Sequence, residues 1–359
     1  MHQGEGIKKL DIRSCSEESL ETICREHSIA GFRARQIFTG VHRHGAASWD
    51  EIPSLGADAR DMLRNVLVFD GVEIVREKHS RDTTAKYLVS LADGERVETV
   101  LIPDAATGRR TICLSTQVGC PVGCTFCSTG QEGFRRDLSA GEIVGQVLEV
   151  IRAGRMGDTG FKINNVVFMG MGEPFLNTTE VMEAVELLNA ERGLNIGRRK
   201  MTISTCGVVP GIRLLAERRD QIGLAVSLHS CFDETRDRLV PMNKKYPLAE
   251  LMKACREYCS ATHRRVTFEM VLTRETCTDR EAYALIKLLA GMISHVNLIP
   301  VNPTLEGSER PEKERVSRFL ALLMKARIPA SLREEKGVDI EAACGQLRRV
   351  AACEGPAGI

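Results

Sequence analysis

Cys120-Pro-Val-Gly-Cys124-Thr-Phe-Cys127 is a C-x3-C-x2-C run with a glycine inside it, which is typical of a loop. Three thiolates so close in sequence can bind three corners of a cubane iron–sulfur cluster and leave one iron free of protein. Zinc is an alternative, but structural zinc sites prefer paired C-x2-C units from two loops, and the sequence has no second such unit. The next cysteine, Cys206, is far along the chain. The spacing therefore favours an open-iron cluster over zinc or coincidence.

On both sides of this run the chain alternates apolar strands with amphipathic helices. Near-continuous Val/Ile/Leu strands separated by helices indicate a parallel sheet covered by helices. Seven such units in one stretch fit a full or partial (β/α) barrel better than an open doubly wound sheet. We predict barrel strands at 110–116, 165–169, 200–205, 222–228, 266–272, 295–301 and 328–332. We predict helices at about 138–153, 179–190, 209–218, 247–260, 279–291 and 312–326.

The chain before the barrel has two other patterns. Residues 1–70 indicate helices, the first capped by Ser16 and the second running from about Phe32 to His42. Residues 71–103 alternate apolar and polar side chains around a turn at Ala92-Asp-Gly94, which indicates antiparallel strands. We therefore predict an α/β protein with an N-terminal helical accessory domain (1–70), a β-strand connector (71–107) and a barrel with a C-terminal segment (108–359).

The composition of the chain limits the compartment and the binding partners that we expect for it. The chain has 359 residues, 13 of them Cys, and a formal net charge of +1, so no global field draws in nucleic acid. No apolar run approaches the roughly 18 residues that span a bilayer, and the start lacks the apolar core of a signal peptide. We expect a soluble, cytoplasmic protein with no membrane partner. In that reducing compartment, cysteines are more often ligands, catalytic thiols or apolar filler than disulfides.

Small and polar residues follow the ends of the predicted barrel strands. Gly170-Met-Gly172-Glu173-Pro follows the second strand, where glycine allows close backbone approach and a carboxylate can accept a bond from an ammonium group. Because the carboxyl ends of barrel strands share one edge, we expect these residues to converge on one site. The candidates at later strand ends are Ser204, Ser227, Leu228, His229 and Asn302.

Nine collinear segments resemble the RlmN/Cfr family of RNA adenine methyltransferases, within the radical S-adenosylmethionine (SAM) superfamily. They cover nearly the whole chain and include Asp339-Ile-Glu-Ala-Ala-Cys344-Gly-Gln-Leu near the C-terminus. The segments are 32–38, 97–103, 113–134, 165–177, 204–211, 227–229, 238–248, 296–303 and 339–347. The resemblance implies a radical SAM barrel, full or partial; the helical segment 1–70 resembles the accessory RNA-binding domain of the family.

The resemblance also implies cofactors. Cys120, Cys124 and Cys127 would hold one 4Fe-4S cluster, at which SAM is split reductively to a 5′-deoxyadenosyl radical. Two SAM molecules would be used per turnover, one as methyl donor and one as radical source. The residues that match the SAM-binding positions of the family are Gly172, Glu173, Ser204, Ser227, Leu228, His229 and Asn302.

Three further residues match the catalytic positions of the family. Cys344 would take the methyl group from one SAM and become S-methylcysteine, and the methylene radical formed from it would add to the base. Cys113 would resolve the resulting protein–RNA crosslink through a transient disulfide with Cys344. Glu98 would accept the ring proton.

The implied substrate is 23S ribosomal RNA, methylated at C2 of an adenine, with transfer RNA as a second substrate. The implied electron donor is a protein such as flavodoxin or ferredoxin, and we expect a monomer. One segment departs from the family: Arg333-Glu-Glu-Lys-Gly337 stands where C2 enzymes carry Arg-x-Thr-Arg-Gly, and its acids weaken phosphate contacts. Three alternatives remain: a Cfr-type C8 methyltransferase, a radical SAM enzyme acting on a peptide or small molecule, and a zinc-stapled RNA-binding protein without catalysis.

Overall fold

A computed structural model describes residues 9–69, 71–301, 309–333 and 336–347. The first of these ranges contains three short α-helices and, beyond what the sequence predicted, two short strands paired in parallel. The first helix begins as predicted, because the Ser16 side chain accepts a hydrogen bond from the backbone N–H of Ser19. The elements are β1 (Leu10–Asp11), α1 (Glu17–Glu26), α2 (Phe32–Thr39), α3 (Ala57–Leu63) and β2 (Leu67–Val68).

Four antiparallel strands follow, which confirms the alternation seen in the sequence. The predicted turn between the second and third strands is closed by a hydrogen bond from the N–H of Gly94 to the carbonyl of Leu91, and Gly94 has φ +84°. Such a φ favours glycine. The strands are β3 (Glu73–His79), β4 (Ala85–Ser90), β5 (Arg96–Asp104) and β6 (Arg109–Cys113).

The remaining chain alternates strands and helices and contains six of the seven predicted barrel strands; the first of the seven is β6. The strands are β7 (Gln117–Gly119), β8 (Phe134–Asp137), β9 (Asn165–Phe168), β10 (Met201–Thr205), β11 (Gly223–Ser227), β12 (Val266–Leu272), β13 (Ser294–Pro300) and β14 (Ala330–Leu332). The helices are α4 (Ser128–Gln131), α5 (Ala140–Gly157), α6 (Thr178–Asn189), α7 (Val209–Arg218), α8 (Asp233–Leu239), α9 (Leu248–Thr262), α10 (Asp279–Leu289) and α11 (Lys313–Lys325).

Ten of these strands form one sheet, in the order β14-β13-β12-β11-β10-β9-β6-β5-β4-β3. The strands from β6 through β9 to β14 are parallel neighbours, whereas β3 to β6 are antiparallel. Within the part of the chain that the structure describes, the edge strands β14 and β3 do not pair, so the barrel is partial. Strands β3–β5 lie in the predicted connector but belong to the same sheet as the barrel strands. The domain boundaries at 70/71 and 107/108 stay predictions.

Apolar faces of the helices pack on the sheet, and α5 shows how the sequence specifies this. Ser139 and Glu142 form a capping box at its start. Ile143, Val147 and Ile151 recur every four residues and are buried. Burial of each such side chain contributes about 1.5–3 kcal/mol.

Besides β1, β2, α3 and α4, the sequence analysis missed helix α8 and the strands β7 and β8. Helix α8 has no apolar stripe, since its one buried side chain is an arginine. The strands of the β7–β8 hairpin have three and four residues, too few for a periodic pattern. Among the helices described, none is long and apolar enough to cross a membrane.

Candidate active site

A cavity opens at the carboxyl edge of the parallel strands, where barrel enzymes have their active sites. The cysteine loop forms part of its wall, and the ends of β10, β11 and β12 form another part. Arg333 and Cys344 reach it from the C-terminal segment. The residues that were predicted from the sequence and that line the cavity are Cys120, Cys124, Cys127, Gly172, Glu173, Ser204, Ser227, His229 and Cys344.

The loop that carries the three clustered cysteines is closed at its base by the β7–β8 hairpin. Gly119, at φ +78°, lies so close to the opposite strand that a Cβ there would be 1.9 Å from the carbonyl oxygen of Gly133. Only glycine fits this approach. The backbone N–H of Thr125 donates to the carbonyl of Leu239 at 3.2 Å, which ties the loop to the end of α8.

The thiols of Cys120, Cys124 and Cys127 fit a multi-iron cluster. They line one cavity and interact electrostatically with one another. No group of three or more His, Cys, Asp or Glu side chains in the described ranges could hold a single metal ion, but the ligands of a cubane bind separate irons. Burial raises the pKa of Cys120 to about 12 and also raises the pKa of Cys124 and Cys127. Each thiol therefore needs a cationic partner in order to ionise, and iron supplies one.

The glycine-rich turn after β9 presents a buried carboxylate to the cavity. Gly172 has φ +103°, and a Cβ there would lie 2.7 Å from the Cβ of Gln117. The Glu173 carboxylate accepts hydrogen bonds from the backbone N–H groups of Phe175 at 3.1 Å and Cys206 at 2.7 Å. Burial raises the pKa of Glu173. An ammonium group in the cavity would meet a positioned acceptor here.

Cys206, which the sequence analysis took as remote, lies against Glu173 and lines the same cavity. Burial and the neighbouring Glu173 carboxylate raise the pKa of its thiol well above the ordinary value. The thiol therefore stays protonated and can donate to the carboxylate. Its place at the end of a predicted strand was the signal that could have found it.

His229 follows β11 at φ +61° and faces the cavity as a neutral base. Its Nδ1 accepts a hydrogen bond from the backbone N–H of Val271 at 3.1 Å, so the ring proton is on Nε2. Burial and the charge of Arg236 lower the pKa of His229 to about 3. The ring packs edge-on against Phe126 of the cysteine loop, with centroids 4.4 Å apart. The side chain of Leu228 is buried and lies outside the cavity lining.

Arg236 is fully buried and holds two strand ends in place. Its guanidinium donates to the carbonyl of Leu228 at 3.0 Å, to the carbonyl of Cys206 at 2.5 Å and to the side chain of Asn243 at 2.7 Å. These carbonyls belong to the chain just after β10 and β11. Arg236 thus fixes the part of the wall that carries Ser227 and Cys206.

The segment with Cys344 is attached to the cysteine loop. The backbone N–H of Ser128 donates to the carbonyl of Gly345 at 2.9 Å, and the Thr129 hydroxyl donates to the carbonyl of Leu347 at 2.5 Å. Both donors belong to α4, directly after the third clustered cysteine. Cys344 itself is exposed on the cavity.

Cys113, at the end of β6, lies within electrostatic range of Cys344. Burial, together with negative charge on Cys344, raises the pKa of Cys113 to about 12. The Cys344 thiol in turn is the main cause that raises the pKa of Arg333, whose guanidinium lies 3.9 Å from the Glu269 carboxylate. Arg333 is thus placed to stabilise a Cys344 thiolate.

Glu269 and Lys86 are polar residues that the sequence analysis missed. Glu269 is buried on the cavity wall, and its Oε2 makes no hydrogen bond within the described structure. Lys86 pairs with Glu98 at 2.8 Å, and both side chains are buried on the antiparallel part of the sheet. Glu98 does not reach the cavity lining directly. Asn302 lies outside the described residues.

Comparison with known proteins places this geometry in a family. A family model described as "Radical SAM superfamily" matches residues 114–288. The chain is 49% identical over 352 residues to "Probable dual-specificity RNA methyltransferase RlmN" of Desulfitobacterium hafniense (strain Y51), covering 97% of this chain and 99% of that protein. The chain belongs to the RlmN family of radical SAM enzymes.

Further relatives agree with this assignment. "Dual-specificity RNA methyltransferase RlmN" of Syntrophobacter fumaroxidans is 44% identical over 321 residues, which cover 88% of this chain and 91% of that one. The crystal structure of a radical SAM methyltransferase from Sphaerobacter thermophilus superposes with a TM-score of 0.90 at 43% identity, over 94% of this chain and 99% of that chain.

Membership in the RlmN family confirms several expectations. The fold is the radical SAM partial barrel, and the chain is an enzyme that uses a 4Fe-4S cluster and SAM. The alternative of a zinc-stapled protein without catalysis is therefore wrong.

Proposed function

We propose that this RlmN-family enzyme methylates C2 of an adenine in 23S ribosomal RNA and in transfer RNA. The observation that carries the proposal is that Cys344 lines the same cavity as Cys120, Cys124 and Cys127. A ring carbon of adenine is a poor nucleophile, so it does not attack the methyl group of SAM directly. A methyl group carried on a thiol beside a radical source avoids that difficulty.

In the proposed reaction, the chain first loads its own methyl carrier. Cys344 attacks the methyl group of one SAM as a thiolate, and the C–S bond that forms yields S-methylcysteine and S-adenosylhomocysteine. Arg333 supports this step, because its guanidinium lies in the same cavity and is charged beside Cys344.

Cys120, Cys124 and Cys127 would hold the cluster, which would supply the electron for reductive cleavage of a second SAM and thereby the radical that removes a hydrogen atom from the methyl group on Cys344. Glu173 would accept a hydrogen bond from the SAM ammonium group, and the neutral His229 lines the same cavity. The proposed use of two SAM molecules per turnover follows from these two steps.

Cys113 and Glu98 complete the proposed reaction after the carbon has joined the base. Glu98 accepts the proton from the ring carbon, and the adduct radical loses one electron, which the oxidised cluster would take up. The Cys113 thiolate then attacks the sulfur of Cys344: the disulfide forms, the bond between that sulfur and the transferred carbon breaks, and the carbon takes up a proton as the methyl group of the base. The closeness of Cys113 to Cys344 supports this role. Reduction of the disulfide resets the enzyme, and a flavodoxin or ferredoxin is the proposed electron donor.

The proposed setting is a cytoplasmic monomer whose segment 1–70 binds RNA. The accessory segment packs against the barrel: the backbone N–H of Gly141 in α5 donates to the Ser14 hydroxyl at 2.9 Å. Such an attachment would hold a bound RNA in a fixed orientation to the cavity.

Nucleoside analysis tests the proposal. Anaerobically reconstituted enzyme is incubated with SAM, a reductant and either a 23S RNA fragment or transfer RNA, and the RNA is digested and analysed by mass spectrometry. We expect 2-methyladenosine from both RNAs and none with Cys344→Ala. Only 8-methyladenosine would instead support the Cfr-type alternative, and no methyladenosine from either RNA would support a peptide or small-molecule substrate.

A further inference from the structure

Lys86 joins two parts of the proposed catalytic machinery that are far apart in sequence. It lies on β4, is 5% exposed, and its Nζ is 2.8 Å from Oε1 of Glu98. The same Nζ donates a hydrogen bond to the carbonyl oxygen of Glu341 at 3.1 Å. Glu341 precedes Cys344 by three residues. One ammonium group therefore contacts both the proposed proton acceptor and the segment that carries the proposed methyl carrier.

The strand register explains why these groups meet. Lys86 is directly opposite Val100 on β5, and Val100 is directly opposite Cys113 on β6. Glu98 lies two residues from Val100 on the same strand. Because directly opposed residues and residues two apart share one face of a sheet, Lys86, Glu98 and Cys113 all lie on the same face.

The turn that joins β3 to β4 contacts the same C-terminal segment. The Ser80 hydroxyl donates to Oδ1 of Asp339 at 2.6 Å, and the backbone N–H of Arg81 donates to Oδ2 at 3.2 Å. In the opposite direction, the backbone N–H of Gly337 donates to Oδ2 of Asp82 at 2.8 Å. The tip of the β3–β4 hairpin therefore binds the C-terminal segment at Gly337 and Asp339. Lys86, within β4, binds the same segment at Glu341, closer to Cys344.

We infer that Lys86 is a positioning residue that holds the Glu98 carboxylate and the Cys344 segment in one fixed relation. Neutralisation of the Glu98 charge does not require the hydrogen bond from Lys86 to the Glu341 carbonyl. A buried ion pair by itself also adds little stability over an apolar pair. The catalytic meaning of this link rests on the proposed function, whereas the link itself does not.

Hydrogen–deuterium exchange on the full chain tests the link without any substrate. Lys86→Met keeps the length of the side chain and removes the charge. Lys78→Met is the matched control, since Lys78 is directly opposite Lys86 on β3 but exposed. We expect the peptide that spans 337–347 to exchange about tenfold faster in Lys86→Met, as loss of a charge-assisted hydrogen bond implies, and at the wild-type rate in Lys78→Met. Lys86→Arg should restore most of the protection.

Activity separates positioning from mere support of the fold. We expect Lys86→Met to lower kcat for RNA methylation about tenfold or more and to leave KM for RNA within about twofold, because the link orders reacting groups rather than the RNA surface. If loss of the ion pair with Glu98 prevents Lys86→Met from folding, the Lys86→Met/Glu98→Gln double variant removes both charges. That double variant still lacks the bond to Glu341 and should still exchange faster at 337–347.

The outcomes are distinct. Wild-type exchange at 337–347 in Lys86→Met, or in the double variant where the single one fails to fold, overturns the inference whatever the substrate is. A change of KM for RNA with unchanged kcat also overturns it. Faster exchange, together with a wild-type enzyme that makes no methyladenosine, supports the link and refutes only the proposed function.

Discussion

The backbone N–H of Cys206 donates a hydrogen bond to Oε2 of Glu173 at 2.7 Å, across two neighbouring barrel strands. A second N–H, that of Phe175, binds Oε1 at 3.1 Å. The carboxylate is thus fixed by backbone donors in a buried wall of the cavity, although burial raises its pKa. Because an ionised carboxylate in a buried wall costs free energy, its presence there indicates a cationic ligand.

We therefore expect Glu173→Gln to weaken SAM binding. The amide keeps the shape but loses the charge that would pair with the SAM ammonium group, and hydrogen bonds to charged groups are worth about 1.5–3 kcal/mol, or about 10–150-fold in Kd. Anaerobic calorimetric titration of the reconstituted enzyme with SAM measures this. Glu217→Gln, at an exposed position of α7, is the control. Equal affinity in both variants would show that Glu173 does not contact the ammonium group.

Arg236→Met is expected to destabilise the protein by about 3–5 kcal/mol. The change removes the donor to the buried Cys206 carbonyl and to the Asn243 side-chain oxygen, and one of two donors to the Leu228 carbonyl, which keeps the N–H of Ser230. Unmet buried acceptors cost about 1–3 kcal/mol each. Urea unfolding of the cluster-free protein gives the free energy of unfolding. Arg238→Met removes an arginine from the same helix, but one that is exposed and paired with Glu275, so its cost should stay within about 1 kcal/mol. Equal losses would mean that burial of Arg236 does not matter.

Local patterns in the sequence predicted the barrel strands and the cysteine loop, because period and spacing are local properties. The contacts of Glu173 with Cys206 and of Lys86 with Glu98 depend instead on strand register, which no local pattern encodes. Arg236 was missed for another reason: a charged residue in a charged helix predicts an exposed side chain.

Cys113 and Cys344 were candidates only because of the family resemblance, since a lone cysteine has no periodic signal. The structure adds that one is buried at a strand end and the other is exposed on the cavity. Lys86 and the hairpin tip explain how a segment so near the end of the chain is held at the barrel mouth.

His229→Asn should change how stability depends on pH. Burial lowers the pKa of His229 to about 3 in the folded protein, whereas the pKa of a histidine in an unfolded chain is about 6.5. Below about pH 6.5 only the unfolded chain binds this proton, so the wild type loses stability as the pH falls. Relative to His229→Asn, the wild type should lose about 2 kcal/mol between pH 7 and pH 5.

Urea unfolding of the cluster-free protein at several pH values measures this difference. Asparagine tolerates the left-handed backbone at this position. His263→Asn controls for the loss of an imidazole, because His263 is exposed and has a similar φ of +55°. Parallel pH curves for the wild type and His229→Asn would show that the folded protein protonates His229.

Cys344→Ala should abolish methyl loading of the enzyme. Its thiol is the proposed nucleophile for the first SAM, and alanine offers no lone pair at that place. After incubation with SAM and proteolysis, mass spectrometry should find the peptide around residue 344 carrying a methyl group in the wild type and in Cys231→Ala, whose cysteine lies outside the cavity lining. A methylated cysteine that persists in Cys344→Ala at another position would move the carrier role to that residue.

Cys113→Ala should instead trap the reaction after the carbon has joined the base. The variant keeps Cys344 on the cavity but removes the thiol beside it, so the crosslink between protein and RNA has no internal nucleophile to resolve it. We expect a denaturation-resistant RNA adduct in the variant at a level about tenfold or more above the wild type, visible on a denaturing gel. Cys255→Ala controls for the loss of a buried thiol, and Cys113→Ala/Cys344→Ala should give no adduct. Free methylated RNA from Cys113→Ala at the wild-type rate would contradict the resolving role, because the crosslink would then be released without this thiol.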